Sequence, residues 1–364
     1  MDEIIYNVLK KIEDNGFEAY IVGGFVRDFL LKKESKDVDI CTNARVKDLV
    51  DIFNSSNITL FDYGNVLLDY SDYQFEITTY RKDIKYVDNR RPEEIEYVDS
   101  LGEDLLRRDF TINSICMNKD GKIIDLIGGK NDLKKRIIKS IGNPDNKFND
   151  DALRMLRAIR FATILNFKLD EDVKKSILKN KHLLNNLSYE RKMEELNKIF
   201  SSKNKKYAVR LIKELDLEDD LEIKNIDSIL LTNHIMGMWA MITDIDYSFT
   251  KMQKKIIKEI KELYNIKNID NYTLYKYGFY SVGIVCDLRK INKDKMFKRY
   301  EGLPIHDREE IDIDSKEICD LLGKNPDSFL KDIYIDLENK ILAHELMNKK
   351  DRIIDYIKNN YVKL

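Results

Sequence analysis

The chain has 364 residues, with 63 Lys or Arg against 65 Asp or Glu and a formal net charge of -2. Apolar residues make up 43% of it, too many for a disordered chain, and the length fits roughly two to three domains. No uncharged apolar run reaches the ~18 residues of a membrane span, and the acidic start Met1-Asp2-Glu3 is unlike a signal peptide.

Residues 18–23 read as a strand, 26–32 as a short helix after two glycines, 38–41 as a second strand and 46–53 as a helix. Residues 58–60, 66–70 and 74–80 read as a strand meander, with Tyr63-Gly64-Asn65 as turn chemistry. Residues 112–117 and 122–126 flank Asn118-Lys119-Asp120-Gly121, a hairpin signal. From about residue 131 the apolar period becomes 3.6, over 133–138, 150–165, 172–184, 189–200, 206–215 and later segments. Strand-like runs almost vanish there, and the clearest boundary lies at 125–145. The expected fold class is α+β: a mixed α/β head, then a long helical region.

Charge is uneven along the chain. Residues 1–100 hold 13 basic and 21 acidic residues, and residues 301–364 hold 10 and 15. Between them, residues 101–200 hold 21 and 15, and residues 201–300 hold 19 and 14. A basic middle suits a polyanion-binding surface, and a lysine-rich solvated surface has the same composition. Four scattered cysteines (Cys41, Cys116, Cys286, Cys319) form no C-x-x-C pair, which points to a reducing cytoplasm.

Five sequence features carry chemistry. In Gly23-Gly24-Phe25-Val26-Arg27-Asp28, backbone between a strand and a helix can approach a phosphate, and Arg27 adds a fork of donors. In Asp37-Val38-Asp39, residues two apart in a strand share a face, which suits a Mg²⁺ ion. Glu76 lies inside an apolar strand run, either as a third metal-site acid or as an exposed position of an edge strand. Arg107-Arg108 stand before a strand-like run and can serve a triphosphate or an RNA backbone. In residues 150–161, Asp151, Arg154, Arg157 and Arg160 recur every three residues on one helical stripe. Arg donates to ring-nitrogen and carbonyl acceptors and Asp accepts from an exocyclic amine, so such a pair can read the Watson–Crick edge of C or A. A plain surface ion pair at this spacing is the alternative.

Taken in order, these motifs resemble the class II tRNA nucleotidyltransferases, the CCA-adding enzymes of the polymerase β nucleotidyltransferase superfamily and poly(A) polymerase family. The resemblance rests on GGFVRD with DVDI, RRDFTINSI, DDALRMLRAIRFA, and the stretch Ser188-Tyr189-Glu190-Arg191 through Glu195-Leu196. It extends to the C-terminal region from Leu303-Pro304-Ile305 to Asn348. It implies a nucleotidyltransferase head with a five-stranded-type sheet (residues 1–135) and an elongated all-helical remainder. That remainder divides into a neck with the nucleotide-template helix (136–200), a tRNA-binding body (201–300) and a tRNA-binding tail (301–364). It implies catalysis by Asp37, Asp39 and Glu76, with Mg²⁺ on Asp37 and Asp39. It implies nucleotide contacts from Gly24, Arg27, Arg108, Asp151, Arg154, Arg157 and Arg160, with Asp151 and Arg154 reading the incoming base. The partners implied are the tRNA 3′ end, CTP and ATP. Residues 81–92 resemble the flexible loop that CC-adding relatives largely lack. The chain departs from the family at Lys32, where a turn glycine is usual, and at Asp150, where Glu is usual.

Alternatives are an A-adding enzyme, a poly(A) polymerase, a catalytically decayed RNA-binding protein and a metal phosphohydrolase of the HD type. Against the last, the four histidines (His182, His234, His306, His344) are scattered and read as structural or surface residues. Trp239, in an apolar methionine-rich stretch, reads as helix core.

Overall fold

A computed structural model describes residues 2–35, 37–53, 58–71, 73–87 and 91–362. The chain forms two compact units, residues 1–223 and 224–364.

The first unit opens with α1 (Glu3–Glu13), whose N-terminus is capped by the Asp2 side chain. Then come β1 (Ala19–Val22), α2 (Gly24–Leu30), β2 (Val38–Thr42), α3 (Val46–Phe53), β3 (Ile58–Leu60), β4 (Asn65–Tyr70) and β5 (Tyr73–Thr79). A ribbon of β6 (Arg81–Val87) and β7 (Arg91–Tyr97) follows, then α4 (Leu101–Leu106), β8 (Cys116–Met117) and β9 (Ile123–Ile124). The sheet order is β3-β4-β5-β2-β1-β8-β9, so the expected five-stranded core is extended by two short strands. Among the described residues of this sheet only β2 and β5 pair in parallel, and their register sets Asp39 opposite Glu76. Along β5, Phe75, Ile77 and Thr79 are buried while Gln74 and Glu76 face outward. Glu76 therefore stands on an interior strand, not on an edge. Under the sheet, Val22, Cys41, Tyr80, Leu101, Leu105 and Cys116 form a buried cluster.

Two expectations are corrected here. The 81–92 stretch, expected as a loop, supplies an antiparallel ribbon with register shifts between Asp83 and Tyr86; residues 88–90 lie outside the described residues. Arg107-Arg108 do not precede a strand but follow α4, with Arg107 as its C-cap, ahead of a 3-10 turn at Thr111–Asn113.

The helical part of this unit comprises α5 (Gly129–Lys135), α6 (Pro144–Asp150), α7 (Leu153–Leu165), α8 (Glu171–Asn180), α9 (Tyr189–Phe200) and α10 (Lys205–Glu214). It is not wholly helical, because β10 (Ile137–Ile138) pairs in parallel with β11 (Lys168–Leu169). Gly129 is required at its place, since a Cβ there would lie 2.2 Å from the Thr111 carbonyl oxygen. The expected continuous helix over 150–165 is broken. Asp151 is extended (φ -142, ψ 107) and accepts from Leu153 N at 3.1 Å. Asp caps a helix better than it continues one, because its carboxylate satisfies an orphan N–H.

The second unit holds α11 (Ile235–Ile242), α12 (Lys251–Asn265), α13 (Asn271–Arg289), α14 (Lys293–Glu301), α15 (Ser315–Leu322), α16 (Phe329–Leu342) and α17 (Lys350–Tyr361). Trp239 is fully buried against Tyr247 and Phe249, as core. Many acids of the C-terminal segment serve the backbone. Asp314 and Glu317 form a capping box, Asp307 caps the turn at Arg308–Glu310, and Asp312 accepts from Lys350 N. None of the helices in the described residues is long and apolar enough to cross a membrane.

Candidate active site

A cavity of about 850 Å³ in the first unit is lined by all ten residues singled out from the sequence. At one end, Gly23 (φ 81) turns the chain from β1 into α2. A Cβ on Gly23 would come within 3.0 Å of Asp39 Oδ2, so the glycine lets the backbone close over this carboxylate. Asp39 is half-buried, while Asp37 and Glu76 are exposed. Burial, then the negative charge of Glu76, pushes the Asp39 carboxyl up to about 6; Arg108 and Arg27 oppose this, and Asp37 adds to it. Carboxylates that repel one another call for a compensating cation. Among the described residues no three His, Cys, Asp or Glu side chains are gathered as a metal cage. Mg²⁺ does not need one, because it commonly sits on one or two carboxylates completed by water and substrate phosphates. The donor set of Asp37 and Asp39 fits that ion.

Arg27 forks onto Asp28, with both bonds at 2.9 Å, and donates from Nη1 to Asn113 Oδ1 at 2.8 Å. Asn113 in turn donates to Asp109, which takes Arg157 at 2.6–2.7 Å. Burial alone would raise Asp109, but Arg157 outweighs it and holds the carboxyl below its usual range. Arg157 is raised by the same pairing. Arg160 Nε donates to the buried Glu195 at 2.6 Å. Phe161 lies among these cations, with Arg160 4.2 Å and Arg27 and Arg157 each 5.4 Å from the ring centroid. Asp104, fully buried, holds Arg107 and Arg108 together at 2.8 and 3.0 Å.

At the other end are the two groups expected to read a base, and they do not pair with each other. Asp151 accepts from Arg191 of α9 at 3.1 and 3.2 Å. Burial pushes the Asp151 carboxyl up, and Arg191 opposes this. Arg154 is nearly buried. It donates to the Lys147 and Arg107 carbonyls at 3.1 and 3.2 Å and pairs with Asp150 at 3.6 Å.

Sequence reasoning missed Asp104, Asp109, Asn113, Arg191 and Glu195 as site residues. Four of these five lie inside the RRDFTINSI and Glu190-to-Leu196 stretches that carried the resemblance, and that was the available signal. The histidines stay out of the site. His182 and His344 are exposed, His306 Nε2 lies 3.0 Å from the Tyr300 carbonyl oxygen, and His234 stands 3.8 Å from Asp287.

Residues 19–139 match the family described as "Poly A polymerase head domain". Residues 247–357 match a tRNA nucleotidyltransferase domain 2 family. Over 96% of its length the chain is 33% identical to the CCA-adding enzyme of Anoxybacillus flavithermus, covering 95% of that protein. It is 35% identical to the CCA-adding enzyme of Ligilactobacillus salivarius at the same coverage of both chains. The chain belongs to the CCA-adding enzymes. Its fold also matches the Bacillus stearothermophilus CCA-adding enzyme solved in complex with CTP, with a TM-score of 0.84, 26% identity, and 99% and 98% of the two chains covered.

Both departures from the CCA-adding pattern now have a structural reading. Lys32 keeps the expected turn by adopting the left-handed conformation (φ 57), with its N–H donated to the Phe29 carbonyl. Asp150 reaches Arg154 only at 3.6 Å, a looser ion pair than the 2.6 Å contacts of Arg157 and Arg160.

Proposed function

We propose that this chain adds the 3′-terminal C-C-A to tRNA from CTP and ATP, without a nucleic-acid template, and releases pyrophosphate. One observation carries the reading: the phosphate, metal and base-reading groups, far apart in sequence, line a single cavity. Similarity to CCA-adding enzymes over nearly the whole chain supports it.

The 3′-hydroxyl oxygen of the tRNA bonds to the α-phosphorus, the bond to the pyrophosphate oxygen breaks, and the hydroxyl proton leaves to solvent. Asp37 and Asp39 would hold Mg²⁺, and Glu76 stands opposite Asp39 as the third carboxylate. When bound, the ion supplies charge stabilisation to the attacking and leaving oxygens. Gly24 and Arg27 take phosphate oxygens at the start of α2, and Arg108, Arg157 and Arg160 add guanidinium donors. Asp151 and Arg154 present acceptor and donor to the base. A wrong base would leave buried polar groups unpaired, and this makes the choice strict.

In this reading residues 1–135 form the catalytic head, 136–200 the neck, and 201–300 and 301–364 the body and tail that hold tRNA. Salt-dependent phosphate contacts of the basic middle would supply much of the affinity. Asp39→Asn tests the core of the reading. It should abolish incorporation of both CTP and ATP while tRNA binding, measured by filter retention, persists. Normal turnover in this variant would contradict the metal assignment.

A further inference from the structure

The eight arginines that line the cavity all stand in ion pairs with carboxylates, at 2.6–3.6 Å. The ninth cation, Lys198 on α9, is paired more loosely than any of them. Its Nζ lies 3.9 Å from Glu195, and its side chain is 54% exposed. Glu195 already receives the 2.6 Å hydrogen bond from Arg160 Nε. Lys198 can therefore swing away without leaving a buried carboxylate unpaired, whereas removing any of the more tightly held arginines from its acid would be costly.

The cavity also has a direction. Asp151 and Arg191 meet at the start of α7, and Arg160 meets Glu195 further along the same helix. Arg27, read as a phosphate ligand, shares the Phe161 ring with Arg157 and Arg160, so a triphosphate running from a base at Asp151 and Arg154 to Arg27 would pass these two arginines. Lys198 shares Glu195 with Arg160. Arg157 and Arg160 each bring a carboxylate with them, so part of their charge is already offset where a triphosphate needs it.

We propose that Lys198 binds the terminal phosphates of the incoming nucleoside triphosphate and then the pyrophosphate that leaves. The proposal rests on the nucleotidyl-transfer reading above. A flexible ammonium on a solvated stem suits a charged group that must depart after each turnover, and a rigid bidentate clamp would hold it back.

The test compares dissociation constants of CTP, ATP and CMP, with Mg²⁺ present, for the wild-type chain, Lys198→Met and Lys198→Arg. Lys198→Met should weaken CTP and ATP by about tenfold, the size of one lost charge-assisted contact. CMP affinity should stay unchanged, and Lys198→Arg should recover most of the loss. Pyrophosphate should also become a weaker product inhibitor of Lys198→Met. Equal losses for CTP and CMP would mean a structural role and overturn the proposal, as would unchanged CTP affinity. Failure of the wild-type chain to bind CTP would remove the nucleotidyl-transfer reading, and the proposal with it.

Discussion

The carboxylate of Asp151 is held by Arg191, at 3.1 and 3.2 Å, and not by Arg154 three residues away. One guanidinium nitrogen, Arg191 Nη2, donates to both carboxylate oxygens and fixes their direction, and the broken helix at Asp151 lets the carboxylate line the cavity. Arg154 is oriented separately, by two backbone carbonyls.

Arg191→Ala should therefore impair base reading without touching the nucleotide. Loss of a charged hydrogen bond worth about 1.5–3 kcal/mol lowers kcat/KM for CTP and ATP by roughly 10- to 100-fold. Relative incorporation of UTP and GTP should rise, as it should in Arg154→Ala. Steady-state competition among the four nucleotides checks both variants, and unchanged preference in either would contradict its role.

Asp104 predicts a stability effect with a defined sign. Burial would raise its pKa, but Arg108 and then Arg107 outweigh burial and hold it below 3.8. A depressed folded-state value means the folded state binds its proton later than the unfolded state does. The stabilisation is complete above pH 3.8 and is lost as pH falls through the folded-state value. Asp104→Asn should cost about 3–5 kcal/mol at pH 7, because it leaves two arginine charges unpaired. The difference from wild type should shrink in acid, which denaturant melts between pH 7 and 3 would measure.

Lys32 gives a small prediction of the opposite sign. A non-glycine residue in the left-handed region is strained by about 1 kcal/mol. With φ 57 and an exposed side chain, Lys32→Gly should raise stability by up to about that amount. Thermal melts check it, and a loss of stability would show that the lysine side chain has a stabilising contact.

Much of this was readable in advance because it is local. The helices at Val46–Phe53 and Tyr189–Phe200 follow apolar period alone, and both appear where that period places them. All ten expected site residues line one cavity, because their motifs encode backbone turns and strand register. What was hidden is tertiary. The partners Asp109 and Glu195 face their arginines only once α7 packs on α9 and on the turn after α4. The three-residue spacing of Asp151 and Arg154 imitated a continuous helix, although capping chemistry breaks it. The β6–β7 ribbon escaped notice because its register shifts interrupt the two-residue alternation. Composition also hid the use of the acids in residues 301–364, where Asp307, Asp312 and Asp314 accept from backbone N–H groups.

The measurement that tests the central claim most directly uses three forms of one tRNA, ending before the first C, after one C and after both. Each is incubated with the chain and CTP, ATP or the two together, and the products are resolved on one gel. CCA addition predicts that all three forms reach the same full-length product when both nucleotides are present, and that the CC form takes a single A. Extension of the CC form alone would mean an A-adding enzyme, and long A tails on unrelated RNA would mean a poly(A) polymerase; either result would contradict the account.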